Sequence, residues 1–306
     1  MRRRSPPPIR HRRHRRLVAP WIVGALSAVG CSASTSSDPS AAPKTENVER
    51  STQATADQAT TITTTAPATV TTPLTRPEWL GQQTLVTGAD GYALPVDTPT
   101  RLLGRSFATD DTLPPPPSDA FVATISELSG DPLARSSWNE TCPVRVDELR
   151  YLTVSFWGFD GLVHTGELIV NEAVATDVTT VFATLFADRY PIEEMRIVGS
   201  SEIDAPPVGD TNNTSAFVCR VVKGTTTFSE HAKGLAIDIN PFHNPYVKGD
   251  IILPELARVY ADRTIDERAV ITNDSVVVRA FADIGWQWGG SWTSLKDYQH
   301  FSRNGQ

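Results

Sequence analysis

The chain has 306 residues, enough for one or two domains, and its 28 basic and 35 acidic residues give a net charge of −7. The charge is unevenly spread, because the first 16 residues carry eight arginines and no acidic residue. Without those arginines, 20 basic residues face 35 acidic ones, a formal charge of −15. So acidic a chain argues against functions that bind nucleic acid through its phosphates.

An apolar run of fourteen residues, 17–30, follows the arginines and ends directly before Cys31. The run is shorter than the roughly 20 apolar residues that span a bilayer. A basic start followed by such a run is typical of an export signal, so we expect residues 1–31 to be a signal peptide. The small residues before Cys31 resemble a bacterial lipoprotein cleavage site, which predicts lipidation of Cys31 and a membrane anchor. An ordinary secretory signal, or an uncleaved anchor with Cys31 incidental, is the alternative.

The next part of the chain changes composition twice. Residues 32–76 are rich in Ser, Thr, Ala and Pro and contain no aromatic residue. Such a segment cannot bury enough apolar surface to offset its ordering entropy, so we predict a disordered tether. We expect residues 77–140 to form an extended N-terminal region. This region either wraps around the next domain or forms a separate small element. Globular patterning begins near Cys142, so we place the main domain at 141–306.

The main domain begins with two alternating apolar segments, 150–158 and 162–170, whose turn at 159–161 predicts a β-hairpin. Apolar residues at helical spacing predict helices over 171–189 and 276–284. Short apolar runs predict three further strands, at 195–199, 217–221 and 235–239. The predicted fold class is therefore α+β, a small antiparallel sheet with flanking helices.

Two cysteines remain after Cys31. Cys142 and Cys219 are an even number in an exported protein, which favours one disulfide between them. The bond would close a loop of roughly 75 residues and stabilise the fold by about 3–5 kcal/mol. A pair of metal thiolates is the alternative, although neither cysteine belongs to a Cys-x-x-Cys pair.

A carboxylate in an apolar strand gives the first sign of chemistry. Asp238 lies in the apolar run 235–239, where an unpaired carboxylate would be costly, so it needs a cation or several donors. His231 lies seven residues earlier, and His300 lies near the end of the chain. Two histidines and one carboxylate leave a fourth position open, the arrangement of catalytic zinc. A packed or capping histidine is the alternative for each.

Asp297 comes three residues before His300 and would share a turn with it. A carboxylate there is placed to take a proton from metal-bound water, although a turn cap is the alternative. Arg220 is a candidate for holding a substrate carboxylate or the developing oxyanion bidentately. A surface ion pair is the alternative for Arg220.

Other residues near these motifs have weaker signals. Ser229 is a candidate for binding a ligand or the substrate backbone. Trp292 is a candidate for stacking on a sugar, whereas core packing is the expected role of most tryptophans in this region, which are Trp286, Trp288 and Trp292. Glu230 is predicted to be solvated, and His164 and His243 are predicted to be structural.

Two motifs in order carry a family resemblance. The first is Ser-x-His-x-x-Gly-x-Ala-x-Asp at 229–238; the second is Trp-Gly-Gly-x-Trp at 288–292 with Asp-x-x-His-Phe at 297–301. They resemble the zinc peptidases of the D-alanyl-D-alanine carboxypeptidase family. That family includes VanY-like carboxypeptidases, VanX-like dipeptidases and L-alanyl-D-glutamate endopeptidases, and it shares its fold with the hedgehog signalling domain. The similarity covers about half the chain.

The resemblance implies that His231, Asp238 and His300 bind Zn²⁺ and that Asp297 is the general base. It also implies hydrolysis of amide bonds in peptidoglycan stem peptides. The family's carboxypeptidases and dipeptidases commonly have Glu at the base position, in a Glu-x-Trp-His setting. The string Asp-Tyr-Gln-His at 297–300 is more like the endopeptidases.

Two alternative functions remain. One is a D-Ala-D-Ala carboxypeptidase or dipeptidase, and the other is a non-catalytic cell-wall-binding module that keeps zinc for structure. A base such as Asp297 argues against the module, which has no need of one. We expect an exported, monomeric protein of the cell envelope, anchored on the outer side of the cytoplasmic membrane.

Overall fold

The computed structural model describes residues 75–306, so the predicted signal peptide, Cys31 and nearly all of the predicted tether lie outside the described residues. Within this range the strands, numbered along the chain, are β1 (Ala123–Glu127), β2 (Leu149–Trp157), β3 (Val163–Asn171), β4 (Glu194–Met195), β5 (Asn213–Thr214), β6 (Ala236–Asp238), β7 (Tyr246–Lys248), β8 (Ile251–Leu253), β9 (Gln287–Trp288), β10 (Lys296–Asp297) and β11 (His300–Ser302). The α-helices are α1 (Gly130–Arg135), α2 (Ala175–Ala187), α3 (Ser200–Ile203) and α4 (Val276–Asp283). Short 3-10 helices lie at Thr100–Leu102, Val146–Glu148, Glu172–Val174, Glu230–Lys233, Glu255–Ala261 and Gly289–Ser291. Over residues 75–306, every helix is too short or too polar to cross a membrane.

The strands form several small sheets. Strands β1, β2 and β3 make an antiparallel meander, and β6, β11 and β9 make a second antiparallel sheet in the order β6–β11–β9. Strands β10, β7 and β8 make a third, and the short pair β4–β5 is parallel. The predicted α+β class with small antiparallel sheets is confirmed.

The predicted hairpin and both predicted helices form. Strands β2 and β3 pair from Leu149 opposite Asn171 to Trp157 opposite Val163. Helix α2 lies within the predicted range 171–189 and follows a 3-10 turn; its apolar face is buried against the meander, through Val178, Val181, Phe182 and Leu185. Helix α4 begins at its cap Ser275, whose hydroxyl accepts from the backbone N–H of Val278 at 3.3 Å.

One core joins these elements to the second sheet. Ile237 of β6 and Phe301 of β11 are fully buried in it, and Phe301 stacks on Phe281 of α4 with ring centroids 4.2 Å apart. Successive side chains of a strand point to opposite faces. The residues next to Ile237 and Phe301 therefore point away from this core, and those neighbours are Asp238 and His300.

Residues before the meander pack on the main domain. Leu80, Leu102 and Phe107 form a second apolar cluster with Phe242 and Tyr260. The cluster surrounds a buried ion pair, in which the Arg105 guanidinium donates to both carboxylate oxygens of Glu193, at 2.7 and 2.6 Å.

The predicted strand at 217–221 does not form, and the strand predicted at 195–199 is limited to β4. Within 217–221 only Val221 makes a β-bridge, to Phe228. The backbone N–H groups of this segment donate in different directions: Phe217 to Ile169, Val218 to His231 and Cys219 to the Ser137 hydroxyl. Because no single partner strand receives them, an apolar run with strand composition becomes an irregular connection.

Candidate metal centre and active site

His231 lies in the 3-10 helix Glu230–Lys233, which local sequence fixes at both ends. The Ser229 hydroxyl accepts from the backbone N–H of His231 at 3.4 Å and caps the start. Gly234 ends the helix with φ +67°, and a Cβ there would lie 2.5 Å from the backbone nitrogen of Asn171. Only glycine meets both conditions, so this turn holds His231 against β3.

One ring nitrogen of His231 is held by a backbone acceptor. Its Nδ1 lies 2.6 Å from the carbonyl oxygen of Ala216. A carbonyl can only accept, so Nδ1–H donates and Nε2 is the ring nitrogen that faces Asp238 and His300. That fixed tautomer is what a metal-binding histidine requires.

Asp238 and His300 are direct cross-strand partners in the β6–β11 pair. The other edge of Asp238 is bridged to Ser215, through backbone hydrogen bonds of 2.9 and 3.1 Å. Opposed residues in an antiparallel pair place their side chains on the same face, about 5 Å apart at Cβ. The strand register therefore brings these two predicted ligands together, although 61 residues separate them in the sequence.

The three predicted ligands converge on one point. Asp238 Oδ1 lies 3.0 Å from His300 Nδ1 and 3.2 Å from His231 Nε2, and the two nitrogens lie 3.2 Å apart. Zinc bonds of about 2.0–2.2 Å at tetrahedral angles place neighbouring ligand atoms about 3.3 Å apart. The His300 Nε2 donates to the backbone oxygen of Gln306 at 3.0 Å, so its Nδ1 faces the carboxylate and the other imidazole. Two imidazole nitrogens and a carboxylate oxygen at this spacing suit a divalent cation such as zinc.

When no cation is bound, the charges of Asp238, His231 and His300 change one another's pKa values. Burial would raise the pKa of Asp238, but the charges and hydrogen bonds of His231 and His300 outweigh it and lower that pKa. Burial lowers the pKa of His300, but its hydrogen bond to Asp238 and the charge of Asp238 raise it to about 9. A bound cation would replace the proton that His300 otherwise shares with Asp238.

Asp297 presents one carboxylate oxygen that is shielded from solvent. Its Oδ1 is shut off from solvent and has no hydrogen-bond partner within the described part of the chain. Burial and the nearby charge of Asp238 raise the pKa of Asp297 to about 7. Asp297 pairs with Tyr246 across β10 and β7, so the two side chains share a face. A buried carboxylate in this state is suited to exchanging a proton with a water molecule or a substrate.

Arg220 is exposed, and its guanidinium is not committed to an ion pair among residues 75–306. It lies close enough to Asp297 for its charge to favour the ionised form, lowering the pKa of that carboxyl. A free guanidinium beside the cluster can receive a substrate carboxylate or another anion.

Ser229 and Trp292 both have structural contacts. The Ser229 hydroxyl caps the 3-10 helix, and the Trp292 indole N–H donates to the carbonyl of Gly305 at 3.1 Å. The Trp292 ring lies 5.5 Å from the His300 ring, centroid to centroid. Their roles in substrate binding stay predictions.

The remaining residues singled out by the sequence have structural contacts. Cys142 and Cys219 form the predicted disulfide, next to Arg220 in the chain. His164 and His243 are buried with both ring nitrogens hydrogen-bonded, as expected of structural histidines. The prediction for Glu230 is wrong: its side chain is 8% exposed and paired with Lys233, because the 3-10 helix turns it inward.

Residues 223–303 match the model of a protein family described as D-alanyl-D-alanine carboxypeptidase. Over this segment, about a quarter of the chain, the sequence is similar to that peptidase family. The matched segment contains the three converging ligands and Asp297, whereas Arg220 and both cysteines precede it. No curated protein and no solved structure matches the chain.

Sequence patterns did not indicate two of the following three features of this site, and the third went unused. Two are backbone oxygens, of Ala216 and Gln306, which fix the tautomers of His231 and His300. A backbone acceptor has no residue-type signature, so no pattern could have indicated them. The third is Gly289, where a Cβ would contact both Asp297 and His300. Its signal was present, because Gly289 belongs to the Trp-Gly-Gly-x-Trp motif.

Proposed function

We propose that this chain is a zinc-dependent peptidase that hydrolyses amide bonds in peptidoglycan stem peptides. The observation that carries the proposal is the convergence of His231, Asp238 and His300 near a carboxylate oxygen of Asp297 that has no hydrogen-bond partner among residues 75–306. The three ligand atoms lie within 4.8 Å of one another. Three ligands leave a fourth zinc position open, as in catalytic rather than structural sites.

The side chains of the site have different roles in the proposed reaction. His231, Asp238 and His300 would hold a zinc ion, which would supply Lewis acidity to polarise a carbonyl group and activate water. Asp297 accepts the proton of the attacking water and delivers it to the leaving amine. Arg220 pairs with a carboxylate of the substrate or with the charge that develops on the scissile carbonyl oxygen.

Two features support peptidoglycan as the substrate. The matched family is described by its action on D-alanyl-D-alanine, the end of a peptidoglycan stem. The arginine-rich start and the apolar run before Cys31 are typical of an exported protein, which would meet that substrate outside the cytoplasm.

Removal of a carboxy-terminal D-alanine is the second candidate reaction. The description of the matched family favours it, and the exposed Arg220 guanidinium suits a free terminal carboxylate. The Asp-Tyr-Gln-His string at 297–300 favours cleavage within the stem instead. The two reactions release different products from one pentapeptide stem, so a single assay separates them.

The test uses the purified chain with defined muropeptides, analysed by mass spectrometry with and without a chelator. We expect cleavage that chelation abolishes and zinc restores. Asp297→Asn should lower kcat about 10²–10⁴-fold while one zinc per chain remains bound. The matched control is Asp283→Asn, at an exposed position on α4, which should leave kcat unchanged.

Each contrary result has a definite meaning. Full activity in Asp297→Asn would remove that residue from the mechanism, and activity that survives chelation would remove the metal. Zinc binding without cleavage of any stem peptide would favour a non-catalytic wall-binding module.

We also propose that the protein is exported and anchored by a lipid on Cys31, as a monomer at the outer side of the cytoplasmic membrane. The support is the sequence of residues 1–31 alone. Cys31→Ser should move the protein from the membrane fraction to the soluble fraction. Unchanged membrane attachment in that variant would contradict the lipid anchor.

A further inference from the structure

We propose that Trp292 and the backbone of Gly305 and Gln306 form a brace that orients His300 as a metal ligand. The inference rests on the proposed zinc site and goes beyond it. It makes Trp292 a positioning residue, acting through His300, where the sequence had suggested a substrate-stacking role.

The brace touches His300 directly at one atom. The Nε2–H group of His300 donates to the backbone oxygen of Gln306 at 3.0 Å. A metal-binding histidine commonly has its other ring nitrogen held by such an acceptor, which fixes the tautomer and the ring orientation. Since Nε2 carries the proton, Nδ1 faces Asp238 and His231.

The second contact holds the acceptor in place. The Trp292 indole N–H donates to the carbonyl of Gly305 at 3.1 Å, one residue before Gln306. Gly305 has φ +75°, and its backbone N–H donates to Ser302 at 3.4 Å, so the chain turns back toward β11. The Trp292 ring also lies 5.5 Å from the His300 ring and limits its rotation.

The two imidazole ligands differ in how their supports are held. The acceptor for His231 is the carbonyl of Ala216, a residue buried in the main core. The acceptor for His300 belongs to residues 303–306, in which Arg303 and Asn304 are exposed. Exposed segments of this kind move unless another group holds them. The hydrogen bond from Trp292, which is half-buried, holds this segment in place.

The test measures zinc affinity by competition with a chelating dye, in the full chain. Trp292→Phe keeps a ring beside His300 but removes the N–H donor, and we expect zinc binding to weaken about 10- to 100-fold. A chain that stops after Arg303 should lose a similar factor. The two changes together should cost no more than the larger one, because they break one linked support.

Two controls keep the structural and substrate-binding explanations apart. Trp138→Phe removes a matched indole hydrogen bond, to the carbonyl of Val144 at 3.1 Å, and should leave zinc affinity unchanged. Gln306→Ala keeps the backbone oxygen and should also leave zinc affinity unchanged. At saturating zinc, Trp292→Phe should regain the kcat of the unaltered chain. The visible spectrum of cobalt bound to Trp292→Phe should differ from that of cobalt bound to the unaltered chain, because the orientation of His300 differs.

The outcomes separate the brace from the proposed function. If the unaltered chain binds no zinc, the proposed metal centre fails and the brace fails with it. If that chain binds zinc and Trp292→Phe binds it equally well, the brace alone is overturned. A raised KM for muropeptides with unchanged zinc affinity would restore Trp292 to substrate binding and contradict the brace.

Discussion

Gly289 lies so close to Asp297 that a Cβ at position 289 would be 2.7 Å from the Asp297 carbonyl oxygen and 2.9 Å from its Cβ. The same Cβ would lie 3.3 Å from the Cβ of His300. Gly289→Ala should therefore push Asp297 and His300, the proposed base and one proposed ligand, out of position together. A displacement approaching 1 Å can cost about 100-fold in rate, so we expect kcat/KM for muropeptides to fall by up to that factor.

A second glycine separates this effect from ordinary strain. Gly285 has open space around its Cβ position but a φ of +78°, so Gly285→Ala costs stability without touching the site. We expect Gly285→Ala to lower the free energy of unfolding by about 1 kcal/mol and to keep kcat/KM. Equal activity in Gly289→Ala and the unaltered chain would show that the 289–297 contact tolerates a methyl group.

Arg105 ties the segment before the meander to the main domain through Glu193. Both side chains are almost fully buried, and Asn212 adds a hydrogen bond of 2.8 Å to the same carboxylate. Arg105→Met should leave the buried Glu193 charge with only the more distant Arg76 guanidinium, 3.6 Å away, as an ion-pair partner, which costs up to about 3–5 kcal/mol. Urea unfolding of the two proteins measures the loss.

Removing the second charge tests whether the poorly compensated carboxylate is the cause. Glu193→Gln in the Arg105→Met background should recover a large part of the lost stability, because no net charge then stays buried. A double variant that is less stable than Arg105→Met would indicate that packing around Arg105, including its stacking on Phe242, matters more than the ion pair.

The sequence predicted the strand that carries Asp238, and its motifs singled out the three side chains that the structure brings together, because both depend on side-chain identity. Residues 229–238 hold a capping serine, a turning glycine and an apolar strand, and each local rule agrees with the structure. The pairing of Asp238 with His300 was implied only by the order of the motifs, because register over 62 residues has no local signal.

The errors have a different origin. Segment 217–221 has strand composition, but its backbone donors reach Ile169, His231 and Ser137, which are remote in sequence. The residue type of Glu230 predicts a solvated side chain, but the helix that contains it packs against the core and buries it. Both errors come from tertiary contacts that override local preference.

The disulfide between Cys142 and Cys219 closes a loop of 77 residues that includes most of the meander and α2. In the chain-entropy model, such a loop stabilises the fold by about 4–5 kcal/mol. In the double variant Cys142→Ala, Cys219→Ala, the free energy of unfolding should therefore be lower by most of that amount. Dithiothreitol should destabilise the unaltered chain and leave the double variant unchanged; a response of the double variant to dithiothreitol would point to another cause.

His243 should make folding stability depend on pH. Burial lowers the pKa of His243 to about 3, and the charges of Arg105 and Arg263 act in the same direction. Both nitrogens of the neutral ring are hydrogen-bonded: Nε2–H donates to the Arg105 carbonyl at 2.9 Å, and Nδ1 accepts from Asn212 at 3.1 Å. Phe159 and Tyr260 cover its faces and have no charge to offset a proton.

The folded pKa of His243 lies below the value of about 6.5 expected in the unfolded chain. Above pH 6.5 both states are neutral and the full stability is present. As the pH falls from 6.5 toward 3, only the unfolded state takes up the proton, so stability declines by about 1.4 kcal/mol per pH unit. His243→Gln keeps an amide in place of the imidazole and does not titrate. Between pH 7 and pH 5 we expect the unaltered chain to lose about 2 kcal/mol more than this variant in urea unfolding, and equal losses would show that His243 takes up its proton in the folded state.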